Sequence, residues 1–181
     1  RQKEEIQHQN EVLNQRNEEI EAQRDFAHKQ NEEITDSINY AKRIQSAMLP
    51  PEAYISELLS EHFILYKPRD IVSGDFYWVE EVDNHWVIIA ADCTGHGVPG
   101  AFMSMLGVSM LNEIVRVKKI IQPDQILNLL REKIIIALRQ KKESSIMDSM
   151  DMAVCTLDME KGSLLYSGAK NPLYHISGGK L

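Results

Sequence analysis

An apolar residue returns at every seventh position through the first part of the chain: Ile6, Leu13, Ile20, Ala27, Ile34, Ala41 and Met48. Seven residues are close to two helical turns, so all of these fall on one stripe of a continuous helix. Residues 1–48 contain neither Gly nor Pro, and nothing in them breaks such a helix. With that stripe as the d positions, the a positions are Lys3, Asn10, Asn17, Arg24, Asn31, Ile38 and Gln45. Asn at a pairs across the axis of a coil, fixes its register and favours two parallel strands, at a cost in stability. The pattern predicts a long parallel coiled coil that joins two copies of the chain through residues 1–48. The simpler alternative is a single solvated helix. Pro50-Pro51 end the pattern, dividing the chain into a coiled-coil helix over 1–49 and a globular part over 52–181.

The globular part reads as α+β. Short apolar runs at 62–67, 75–82 and 85–91 have strand character, as do 151–158, 163–168 and 172–177. Between the two groups lie amphipathic helical patterns at about 99–117 and 123–140. Each has a proline near its start, where the missing N–H costs nothing. Strands grouped before and after a helical pair, with hairpin-length gaps, indicate an antiparallel β-sandwich flanked by helices rather than alternating βαβ units. The composition, 43% hydrophobic and 26% charged, supports a real core. A net charge of −7 disfavours a nucleic-acid surface. No run of 18 uninterrupted apolar residues appears, so no membrane segment is expected. The two cysteines, Cys93 and Cys155, lack the spacing of a zinc site or disulfide framework, and a cytoplasmic, reducing setting fits them. The chain begins at Arg1 inside the helical pattern and stops in a turn-like Gly178-Gly179-Lys180-Leu181, so it reads as a piece of a longer protein.

One hairpin carries the chemistry. Asp83-Asn84 sits between two apolar runs and suits a two-residue turn. An unbulged hairpin then sets Val82 opposite His85, and following the ladder back sets Asp75 opposite Asp92. Cross-strand partners have Cβ atoms about 4.5–5.5 Å apart. Two carboxylates at that distance repel, and a bound cation or a shared proton would resolve the conflict. Both faces of the hairpin are apolar, with Tyr77, Val79, Trp86, Ile88 and Ala90 on one and Phe76, Trp78, Val87, Ile89 and Ala91 on the other. It is therefore expected to be covered on both sides. Gly74 and the glycines of 94–100 flank the pair and permit close backbone approach. Oxygen ligands alone suit Mg²⁺ or Mn²⁺ rather than zinc.

At these residues the sequence resembles the SpoIIE-type branch of the PPM metal-dependent serine/threonine phosphatases. The resemblance rests on Ala41-Lys42-Arg43-Ile44-Gln45-Ser46-Ala47-Met48-Leu49-Pro50, Tyr66-Lys67-Pro68 and Val72-Ser73-Gly74-Asp75-Phe76-Tyr77. It continues through Ala91-Asp92-Cys93-Thr94-Gly95-His96-Gly97-Val98-Pro99-Gly100-Ala101-Phe102-Met103, Asp151-Met152-Ala153 and Ser167-Gly168-Ala169-Lys170-Asn171-Pro172-Leu173-Tyr174. It implies a pair of antiparallel sheets flanked by helices. It also implies two Mn²⁺ or Mg²⁺ ions held by Asp75, by a bridging Asp92 and by the backbone carbonyl of Cys93, where many relatives have Gly. Such ions would activate water for attack on a phosphoserine or phosphothreonine. The implied substrate is a phosphorylated regulatory protein of the anti-sigma-factor-antagonist type. The implied control comes from an upstream sensor domain of the same chain, acting through the coil. The family closes its metal site with a later aspartate. Asp148 and Asp151 are not in that context, so the fragment is expected to bind metal poorly and be inactive alone, with Asp151 at most facing a peripheral metal.

Further residues carry weaker readings. Thr94, Gly95 and Gly97 precede a helix whose N-terminus could attract phosphate. His96 could protonate a leaving hydroxyl or simply order its loop. Lys67 and Arg69 could steer an anionic partner or be ordinary surface residues. Met103, Met105, Met110 and Cys155 read as packing. Two rival functions remain: a non-catalytic dimeric signal-relay module on a phosphatase scaffold, and a phosphohydrolase acting on nucleotides, for which no base- or ribose-binding motif is present.

Overall fold

The structure is a computed structural model and describes residues 1–140 and 148–178. The end of the expected Gly178-Gly179-Lys180-Leu181 turn lies outside them. The chain divides into two compact units, Arg1–Tyr40 and Ala41–Leu181. Helix α1 runs from Gln2 to Met48, as the uninterrupted helical pattern requires. In the first unit its d-position side chains Ile6, Leu13, Ile20 and Ile34 are exposed.

The second unit follows the α1 C-terminus with a short helix α2 (Glu52–Leu58), entered through Pro51. Strands β1 (Phe76–Val82) and β2 (His85–Cys93) come next, then helix α3 (Gly97–Leu111), which widens into a π-helical segment over Asn112–Val117. Helix α4 (Pro123–Ala137) starts on its proline and stops three residues short of the expected end. Strands β3 (Met150–Asp158) and β4 (Ser163–Ala169) complete one antiparallel sheet of order β1-β2-β3-β4.

The β1–β2 hairpin has the expected register, from Val82↔His85 to Phe76↔Ala91. Its turn residues Asp83 and Asn84 have φ of 51° and 62°, the doubly left-handed geometry whose twist matches flanking strands. One face of the sheet is deeply buried. Phe76, Trp78, Val87, Ile89, Met152 and Val154 pack against Val108 and Leu111 of α3, Ile114 and Val115 of the π segment, and Ile126 and Leu130 of α4. The π segment is fastened to that face. Trp78 Nε1 donates to Asn112 Oδ1 at 3.2 Å, and Arg116 pairs with Glu80 at 2.6 Å while lying over the Trp78 ring. Gly97–Val117 is apolar enough by composition to cross a membrane, but half of it is buried within the fold as a core helix.

The other face corrects the expectation of a hairpin covered on both sides. Only Val79 is buried there, beneath Ile55 and Leu58 of α2, while Tyr77, Trp86 and Ile88 are partly covered and Ala90 is exposed. The described residues form one sheet, and two expected strands are not part of it. Segment 62–67 joins no ladder and meets the sheet through side chains, with the Tyr66 ring edge-on to Tyr77 at 5.7 Å. Segment 172–177 belongs to none of the four strands, and Lys170, just past the end of β4, takes a left-handed conformation at φ 63°. The α+β class and antiparallel pairing are as expected.

Candidate metal centre

Asp75 and Asp92 occupy the open end of the β1–β2 hairpin. The last ladder pair is Phe76↔Ala91, so the two aspartates take the next position, on the less covered face. Both are exposed to solvent. Partial burial holds the Asp75 carboxyl above its ordinary range, and a hydrogen bond to Asp92 and the Asp92 charge push it further the same way. The conflict deduced from the sequence is therefore present in the folded chain. Each proton or cation bound between the two carboxylates relieves it.

The backbone around the pair is pressed together, and this is where the glycines matter. A Cβ on Gly74 would stand 2.8 Å from the Gly95 carbonyl oxygen and 3.1 Å from that of Cys93. A Cβ on Gly100 would stand 2.5 Å from the Gly95 oxygen. The segment before Asp75, the loop after Asp92 and the first turn of α3 thus touch backbone to backbone. The Asp75 N–H donates to Ser73 Oγ at 3.0 Å, and the Tyr66 hydroxyl donates to the Asp75 carbonyl at 3.3 Å. Cys93 turns its thiol into the core, where burial, then the charges of Asp92 and Asp75, push its pKa up to about 12. It stays a neutral thiol and leaves only its carbonyl for a ligand.

The remaining candidates fall into different roles. Thr94 is engaged with the start of β3: its N–H donates to the Ser149 carbonyl at 2.9 Å, and its hydroxyl oxygen accepts from the Ser149 N–H at 3.0 Å. Gly95 and Gly97 have φ of 91° and 62° and shape the loop. His96 stands at the α3 N-terminus without capping it, and its Nδ1 lies 2.9 Å from Asp70 Oδ2. Asp151 pairs across the sheet with Asp92 and forms an ion pair with Lys170 at 3.0 Å. It therefore belongs to the same end of the sheet as Asp92, with its charge already balanced. Asp148 offers its carbonyl to Gln140. Lys67 lines a cavity of about 440 Å³ that runs from Asp75 and Asp92 past Tyr66 to Ile55 and Leu59. Asp70 and Lys170 carry no role in the sequence reading. His96 and Asp70 are 26 positions apart, and no local spacing announces their contact.

Two carboxylates and a neighbouring carbonyl are an all-oxygen donor set that fits a hard divalent cation. Among the described residues no group of three or more His, Cys, Asp or Glu side chains is placed to hold an ion. The site that these residues form is thus a two-carboxylate one.

An antiparallel sheet backed by two helices, with paired aspartates at its open end, matches one sheet of the two-sheet arrangement that the resemblance to PPM-type phosphatases implies. The family described as Stage II sporulation protein E (SpoIIE) matches residues 82–180. The solved structure of the SiaA-PP2C domain of Pseudomonas aeruginosa shares 36% identity, aligning over 77% of this chain and 55% of that one with a TM-score of 0.67. The chain thus spans about half the length of that domain. No match is found among curated proteins. The chain belongs to the SpoIIE family of PPM-type phosphatases.

Proposed function

We propose that this chain contributes the Asp75–Asp92 half of a metal-dependent phosphatase centre that removes phosphate from serine or threonine of a regulatory protein. The observation that carries this reading is the pair of carboxylates brought together at the hairpin end, with Asp75 raised by partial burial and then by its neighbour. Asp75, Asp92 and the Cys93 carbonyl would hold two Mn²⁺ or Mg²⁺ ions. When bound, such ions supply charge stabilisation at a phosphoryl group and lower the pKa of water. The chain's own residues provide the rest. The packed backbone at Gly74, Gly95 and Gly100 sets the spacing of the two aspartates. Asp70 orients the His96 ring, which stands in the same loop and can hold a proton for a departing seryl or threonyl oxygen.

Residues 1–48 would pair with a second copy as a parallel coil and carry the state of an upstream sensor to the globular unit. The exposed d positions Ile6, Leu13, Ile20 and Ile34 support this, since a stripe of that kind is stable when covered. The phosphorylated substrate would be of the anti-sigma-factor-antagonist type, and the setting cytoplasmic.

The test is release of phosphate from a phosphoserine protein by the full-length protein with Mn²⁺. Asp92→Asn is expected to abolish it while leaving the circular-dichroism spectrum intact, and unchanged turnover would refute the assignment. A second reading, a dimeric relay module built on the phosphatase fold, is favoured by the two-carboxylate composition of the described site. It predicts a full-length protein that dimerises but does not bind Mn²⁺.

A further inference from the structure

The last turns of α1 contain a polar side chain that is almost wholly buried. Gln45 is 6% exposed, and it is the one buried residue of a 47-residue helix among the described side chains. Its amide is satisfied by a set of bonds converging from two distant segments. Nε2 donates to the Ser73 carbonyl at 2.6 Å and to Ser104 Oγ of α3 at 2.8 Å, and Oε1 accepts from the Ser73 N–H at 3.0 Å. Ser73 is therefore held at both its backbone N–H and its C=O, as a neighbouring strand would hold it. Ser104 is buried too, with the Ser73 carbonyl at 3.1 Å and the Ala101 carbonyl at 2.9 Å as acceptors for its proton. Ser73 then passes the constraint on, because its Oγ accepts from the Asp75 N–H at 3.0 Å.

We propose that Gln45 is a positioning residue that suspends the Ser73–Gly74–Asp75 segment from the end of the coiled-coil helix, so that the Asp75 carboxylate is in place only when that helix is seated. The proposal rests on the metal-centre reading of Asp75. Gln45 is an a position of the seven-residue series, on the stripe that elsewhere would face a partner helix. Here that position is turned onto its own globular unit, and the next d residue, Met48, packs against the same unit's core. One residue of helix rotation is about 100° and would carry the Gln45 amide away from Ser73. The Ser73 N–H would then lose its partner, and the Ser73 C=O would keep only Ser104 Oγ. Among the described hydrogen bonds only Ser104 Oγ, itself an acceptor of the Gln45 amide, also reaches the Ser73 carbonyl, and only Gln45 holds the Ser73 N–H. The link therefore runs to Asp75 directly, whereas the route through α3 reaches the loop after Asp92.

The experiment measures Mn²⁺ affinity by calorimetry, with melting temperature alongside, in the full-length protein. Gln45→Met keeps the length of the side chain and removes its hydrogen bonds. It is expected to weaken Mn²⁺ binding about 10–100-fold, the range found when a partner of a metal ligand is lost. Gln45→Glu keeps the acceptor for the Ser73 N–H but sets a buried carboxylate oxygen against the Ser73 carbonyl, so its loss should be at least as large. It also carries the test alone if Gln45→Met does not fold. Ile126→Val trims a core residue remote from this link, lowers the melting temperature and should leave Mn²⁺ affinity unchanged. Wild-type affinity in both Gln45 variants overturns the proposal, and so does a loss that Ile126→Val reproduces. Asp75→Asn separates the two layers of inference. If it binds Mn²⁺ as the wild type does, or if the wild type binds none, the metal-centre reading fails and the proposal with it. If it loses binding while the Gln45 variants keep theirs, only the positioning role is refuted.

Discussion

Removing one of the two aspartates should change stability with opposite sign in the absence and presence of metal. In the metal-free protein Asp92→Asn deletes a like charge beside Asp75. At a cross-strand separation of about 5 Å, the repulsion is about 3 kcal/mol for a protein-surface dielectric and about 0.8 kcal/mol for water. Both aspartates are exposed, so solvent screening places the relief near the lower figure, at about 1 kcal/mol. In a domain of this size that corresponds to a rise in melting temperature of about 3 °C. The raised Asp75 carboxyl fixes the pH dependence. A carboxyl whose folded pKa exceeds its unfolded one costs stability as pH climbs through that interval, and the cost is fully present above it. The gain from Asp92→Asn should thus be seen at pH 7 in EDTA and low salt, and fade below about pH 4, where unperturbed carboxyls take up protons. It stops short of the whole shift, because partial burial of Asp75 is the larger cause and survives the substitution. With Mn²⁺ at a hundred times its dissociation constant, the wild type gains about 2.7 kcal/mol and the variant little, so the order reverses. Differential scanning calorimetry with EDTA and with Mn²⁺ reads both halves. A variant less stable than wild type in EDTA, together with a wild type indifferent to Mn²⁺, would show that the two carboxylates neither repel nor share a cation.

Two further substitutions probe the scaffold. Gly74→Ala places a Cβ 2.8 Å from the Gly95 carbonyl oxygen, and backbone cannot give way as a side chain can. It should cost about 1–3 kcal/mol by chemical denaturation and disturb Mn²⁺ binding, and a wild-type denaturation midpoint would show that the two segments are not in contact. In the helix, Asn17→Val replaces a polar residue of the a stripe, one that would set register in the proposed coil. The variant should raise the melting temperature of the dimer and increase its dependence on protein concentration, measured by circular dichroism, whereas a solvated single helix would show neither change.

The parts of this fold that rest on short-range rules could be read from the chain directly. The hairpin is one. Asp83-Asn84 selects a turn whose two left-handed residues leave no slack in the register, so the ladder back to Phe76↔Ala91 follows by counting. The aspartate pair inherits that certainty because it lies one step beyond the last rung. The glycines were legible as sites of close approach for the same reason, since they bracket the pair on both strands. The number of layers on the sheet was not legible. Apolar residues on both faces of β1 and β2 say that both faces suit burial, but not which segments cover them. Tyr66 reaches the sheet through a ring contact and not a ladder, and periodicity carries no mark of that difference.

The long-range polar contacts were the least legible, and they decide how the site is held. His96 with Asp70, Asp151 with Lys170, and Gln45 with Ser73 join residues whose types are individually ordinary. Gln45 shows why most clearly. Its place in the seven-residue series assigns it to a coil seam, where a polar a residue is a familiar register device. The same stripe position is equally able to satisfy a backbone segment of its own chain. Which partner it takes depends on what is 28 residues away in sequence and adjacent in space. In the proposed coil, a polar side chain that can be satisfied in either place would give the helix two seatings separated by a rotation. The aspartate centre lies two residues from the point where those seatings differ.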